Sequence, residues 1–104
     1  MIMRPINKLD LSEMLFRYVI THNGGVRLRT MKGCTFHFTR NSPMGGSFVK
    51  GIDVHRESGF LQNRKSPFMG PFLRQEFIKW IISNVSVEEM YNTINRIDGL
   101  MFPE

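Results

Sequence analysis

Val26-Arg27-Leu28-Arg29 and, after a short gap, Cys34-Thr35-Phe36-His37-Phe38-Thr39 decide the fold. In both stretches apolar and polar side chains alternate one for one, the period of a strand with one buried and one wet face. Met31-Lys32-Gly33 between them reads as the turn of a hairpin. The alternation sends Val26, Leu28, Cys34, Phe36 and Phe38 inward, and Arg27, Arg29, Thr35, His37 and Thr39 outward. Phe48 to His55 predicts a third strand, in which Gly51 marks a bulge. Phe60-Leu61-Gln62, after Glu57-Ser58-Gly59, predicts a short fourth. Asn41 to Gly46 and Asn63 to Gly70 are rich in Gly, Pro and Asn and read as loops.

Helical periodicity flanks this block. Leu11, Met14, Leu15, Tyr18 and Val19 form one apolar stripe, with Asp10 at the expected N-cap, Glu13 three residues later and Asn23-Gly24-Gly25 as the stop. This predicts a helix over 11–22. Pro71 suits the first turn of a second helix carrying Leu73, Phe77, Trp80 and Ile81 on one face and ending near Asn84. Ser86 and Glu89 form another capping box before Met90, Ile94 and Ile97, and Asp98-Gly99 closes the last helix. The expected fold is α+β, one domain over 1–104: an N-terminal helix, a mainly antiparallel sheet of three to four strands, and two C-terminal helices packed on one face. Strands adjacent in sequence favour antiparallel pairing.

With 104 residues the chain holds one core, and 41% hydrophobic against 22% charged residues excludes a disordered tail. No window is apolar enough to span a membrane, and Met1-Ile2-Met3-Arg4-Pro5 lacks the apolar region of a signal peptide. A single cysteine, Cys34, leaves no internal disulfide, so a reducing, cytoplasmic setting is expected. The net charge of +5 is unevenly spread. Residues 17–65 hold nine basic side chains and only Asp53 and Glu57, whereas 66–104 hold three basic and five acidic ones. A merely solvated face mixes signs.

Motifs with chemistry are sparse. His37-Phe38-Thr39 matches the H-x-T pattern that two-histidine phosphoesterases carry twice, but there is one copy. Cys34 and His37 have the C-x-x-H spacing of half a zinc site; the second pair is missing and alternation puts the two on opposite faces. Ser42-Pro43-Met44-Gly45-Gly46-Ser47 lacks the Gly-Lys-Ser/Thr ending of a P-loop. No cofactor or metal is expected. Phe48, Phe60 and Phe68 lie near Lys50, Arg56, Arg64 and Lys65, an interleaving that can stack bases and hold a phosphate backbone.

The first functional expectation is a small basic module that binds nucleic acid or a phosphorylated ligand. Its candidate residues are Arg27, Arg29, Lys32, His37, Thr39, Arg40, Lys50, Arg56, Arg64 and Lys65. The second is a non-catalytic inhibitor or adaptor, similar in kind to accessory proteins of bacteriophages and mobile elements. It would dock on an acidic host protein through the Met- and Phe-bearing loops at 41–47 and 63–70. Third comes phosphodiester chemistry on His37 and His55, with Arg27 and Arg29 on the phosphate. No membrane partner is expected. A homodimer through the C-terminal helices is, because Phe72, Ile82, Met90, Met101 and Phe102 exceed what one helical face needs.

Overall fold

In the computed structural model, the described residues are 7–22, 24–40, 48–54 and 68–98. They form α1 (Lys8–Thr21), β1 (Val26–Arg29), β2 (Thr35–Arg40), β3 (Val49–Asp53), β4 (Phe68–Phe72), α2 (Arg74–Asn84) and α3 (Val87–Asp98). The strands make an antiparallel meander in the order β1-β2-β3-β4. All three helices pack on one face, giving the α+β arrangement expected.

Several local expectations are corrected. The N-cap of α1 is Asn7, whose Oδ1 accepts the Asp10 N–H at 2.8 Å. Asp10 is therefore in the first turn, where a carboxylate suits the helix dipole. Phe68 to Gly70 do not form a loop, and Pro71 does not start a helix: all belong to β4, while 63–67 lie outside the described residues. An edge strand tolerates proline because one side of its backbone needs no ladder partner. α2 begins after Leu73, whose N–H donates to Glu76 Oε1 at 2.8 Å. Leucine has no acceptor to return that bond, so only half a capping box forms. The expected strand at 60–62 and the Gly99 stop lie outside the described residues.

The core gathers Val26, Leu28, Phe38 and Val49 from the sheet with Leu11, Leu15, Val19, Phe77, Ile81, Met90 and Ile94 from the helices. Phe38 is its hub. Its ring meets Phe77 at 5.0 Å and Trp80 at 5.4 Å between centroids, both edge-on. Gly51, opposite Phe38 on β3, makes room for it: a Cβ there would come within 2.7 Å of Phe38 Cε1. The irregularity expected at Gly51 is present as a register shift against β4. Met90 is buried and Phe72 packs against the same core, so two residues expected at a dimer interface are used within the subunit. Met101 and Phe102 lie outside the described residues.

α1 and α2 run antiparallel, tied by Lys8 Nζ to the Ile82 carbonyl at 2.8 Å and by the Arg74–Glu13 ion pair at 2.9 Å. Tyr18 of α1 donates its hydroxyl hydrogen bond to Asp98 Oδ2 at the end of α3. Burial, then the Asp98 hydrogen bond and charge, push the Tyr18 phenol up to about 12 against an opposing effect of Arg17. A raised phenol favours the folded state below the unfolded value of about 10, and that stability is lost as pH rises from there toward 12. Phenolate absorbance on alkaline titration should show a late phase from Tyr18. Tyr18→Phe should remove that late phase and flatten the alkaline loss of stability; a late phase surviving in Tyr18→Phe would contradict the assignment.

β1 is an edge strand, and its outward-facing backbone groups are covered by the helices. Glu89 Oε2 accepts the Arg29 N–H at 3.0 Å. Arg96 donates to the Arg27 carbonyl at 3.4 Å, and the Met31 N–H donates to the Asn84 carbonyl at 2.8 Å. Ser86 Oγ does accept the Glu89 N–H at 3.1 Å, but the Glu89 carboxylate serves β1 and Thr93. Edge strands left unsatisfied invite pairing with other chains. Glu89→Ala should cost about 1 kcal/mol and speed hydrogen exchange at the Arg29 amide; unchanged protection of that amide would refute the edge-covering role.

Candidate nucleic-acid interface

The face of the sheet turned away from the helices carries the outward half of the alternation. β1 contributes exposed Arg27 and Arg29, and β2 contributes half-buried Thr35, His37 and Thr39. β3 adds Lys50 and Ile52. Register fixes their neighbours: Arg27, His37 and Ile52 form one row across three strands, Arg29 lies opposite Thr35, and Thr39 opposite Lys50. Directly opposed residues share a face, with Cβ atoms about 4.5–5.5 Å apart. Among the described residues no helix covers this face and no carboxylate lies on it. Asp53 is registered opposite Phe36, on the helix-bearing side. The helices hold six carboxylates and five cations among the described residues, so the positive excess belongs to the sheet layer.

His37 is held in place. Its Nε2 lies 2.6 Å from the Gly24 carbonyl oxygen, which can only accept, so Nε2 carries the proton. This close fit needs Gly25, at φ +79°, because a Cβ there would fall 2.7 Å from His37 Nε2 and 2.4 Å from the Phe38 carbonyl oxygen. The ring keeps Nδ1 and a fixed orientation. Catalysis by His37 with His55 would need a second histidine that lies outside the described residues.

The structure brings together Arg27, Arg29, His37, Thr39 and Lys50, and adds Thr35 and Ile52. Lys32 is exposed in the β1–β2 turn, at one end of the face. Arg40 does not join the group: by strand alternation it falls on the side of Phe36 and Phe38. It lines a cleft of about 510 Å³ with Ile20, Thr21, His22, Gly24 and Gly25, a cleft that also reaches Thr39 of the face. Arg56, Arg64 and Lys65 lie outside the described residues. Ile52 could have been found by extending the alternation from Lys50.

Cys34 is exposed rather than inward, and precedes β2. The turn claims it: the Thr30 N–H donates to the Cys34 carbonyl at 2.7 Å, and the Cys34 N–H to Thr30 Oγ1 at 3.1 Å. Among the described residues no three His, Cys, Asp or Glu side chains gather as metal ligands. No described helix is long and apolar enough to cross a membrane. The chain matches no protein-family model, no curated protein and no solved structure.

Proposed function

We propose that the uncovered sheet face binds nucleic acid, or another ligand rich in phosphate. One observation carries the reading: Arg27, Arg29 and Lys50 share a face with Thr35, His37 and Thr39, and no described carboxylate lies on that face. Guanidinium groups hold phosphate oxygens in a bidentate fork, and the hydroxyls add directional hydrogen bonds. The exposed positions of Arg27 and Arg29 leave their guanidinium groups accessible from solvent. Protein groups that neutralise phosphates release counterions, so affinity falls steeply with salt. Fluorescence anisotropy of labelled DNA and RNA oligonucleotides across a salt series tests the reading. Binding at low salt that weakens on a log–log slope of about 1.4 to 2.1 for a single strand, or about 1.8 to 2.7 for a duplex, is expected if two to three phosphates are neutralised. No binding to any oligonucleotide at low salt would overturn it.

The adaptor reading placed its contacts on two loops. Residues 41–47 and 63–67 lie outside the described residues, and 68–70 belong to β4. That reading predicts a stoichiometric protein partner that survives nuclease during pull-down from the native host. Loss of every partner on nuclease treatment supports the nucleic-acid reading instead.

A further inference from the structure

Resting on the reading of this face as a nucleic-acid interface, we infer that its ligand is single-stranded, with bases seated on His37 and Ile52 and phosphates on the flanking cations Arg27, Arg29 and Lys50. The cations flank an uncharged pair. The middle row of the face holds the cross-strand pair His37–Ile52, with the imidazole reaching toward Gly24 and the branched aliphatic side chain on the next strand. Arg27 and Arg29 stand on one side of it, on β1, and Lys50 stands on β3. Thr35 and Thr39 bracket His37 along β2.

A track for phosphates alone has no use for Ile52 at its middle. A base has two apolar faces and a polar edge; it stacks on an imidazole or rests on an aliphatic surface while its sugar-phosphate reaches outward. The Gly24 hydrogen bond fixes the His37 ring before any ligand arrives, which lowers the ordering cost of stacking. Thr35 and Thr39, on the same face, carry hydroxyls of the kind that bond a base edge.

Shape argues against a duplex. The major groove is about 12 Å wide and admits a helix or a two-stranded ribbon. Four strands about 4.8 Å apart span roughly 14 Å before side chains are added, too broad to enter it. An undeformed duplex could touch such a face only through its backbone, leaving His37 and Ile52 against phosphates, and opening a groove onto it costs deformation energy. Unstacked bases of a single strand can lie flat on the sheet.

The test compares four ligands on the wild-type protein at one low salt concentration: a 12-nucleotide oligothymidylate, the matching 12-base-pair duplex, a 12-mer with abasic sites throughout, and inorganic polyphosphate of matched charge. The inference expects the oligothymidylate to bind at least tenfold more tightly than each of the other three. His37→Ala should weaken oligothymidylate binding five- to tenfold and leave polyphosphate binding within twofold. His37→Phe, which keeps a ring but cannot bond Gly24, should restore most of the loss. Duplex binding as tight as oligothymidylate, or an abasic strand binding equally well, would overturn the single-strand inference while leaving the phosphate-binding face intact. No binding of any of the four would overturn that face as well.

Discussion

Replacing Arg27 and Arg29 together by alanine should weaken oligonucleotide binding about 30- to 100-fold at low salt. Each exposed charge-assisted contact is worth roughly 1 to 1.5 kcal/mol net, and about 1.4 kcal/mol is a factor of ten. The salt dependence should change with it. Losing two phosphate contacts lowers the slope of log affinity against log salt by about 1.4 for a single strand. Neither side chain enters the core, since both are exposed and alternate with buried Val26 and Leu28. Thermal stability should therefore change little, which separates lost binding from lost folding. Arg74→Ala with Lys79→Ala removes the same charge from α2, on the opposite layer. If the effect were net charge alone, that pair would weaken binding as strongly; on a localised face it should cost less than threefold.

Phe38→Ala should have the largest effect on stability, about 3–5 kcal/mol. Small domains hold only about 5–15 kcal/mol in total. Phe38 is fully buried and joins β2 to α2 through Phe77 and Trp80, so its loss opens a void that helices and sheet both line. Gly51 is the other half of this contact. Gly51→Ala forces a Cβ against the Phe38 ring and should cost about 1–3 kcal/mol. In a Phe38→Ala background the same change meets empty space and should cost almost nothing. Denaturant unfolding of the two single variants and the double variant measures this coupling. Additive losses would mean that the Gly51 site and the Phe38 ring do not share the space assigned to them.

The parts of the fold legible in the sequence were those set by local periodicity. β1 and β2 alternate because one face is buried and the other wet, and α1 carries its apolar stripe at helical spacing. What was hidden depends on contacts between distant residues. β4 reads as a loop because Gly70-Pro71 interrupts it; only its place at the sheet's edge makes that sequence tolerable as a strand. Asn7 and Asp10 are both good caps, and nothing in their local spacing shows that the turn closes on the first. Cys34 continues the alternation of Phe36 and Phe38, yet Thr30 draws it into the turn.

The candidate site divides the same way. The shared side of Arg27, Arg29, His37 and Thr39 followed from alternation and a hairpin. Arg40 shares the charge of the face, but counting from Phe38 places it on the other side. The Gly24–His37 bond and the cover that Glu89 and Arg96 give to β1 have no local signal, because they link residues far apart in the chain.

Amide and side-chain NMR of the labelled protein, titrated with a 12-nucleotide single strand, tests the central claim most directly. Shifts should concentrate at Arg27, Arg29, Thr35, His37, Thr39, Lys50 and Ile52, and α1 and α2 should stay nearly silent. Shifts centred on the helices, or none at low salt, would contradict the assignment of the sheet face as the binding surface.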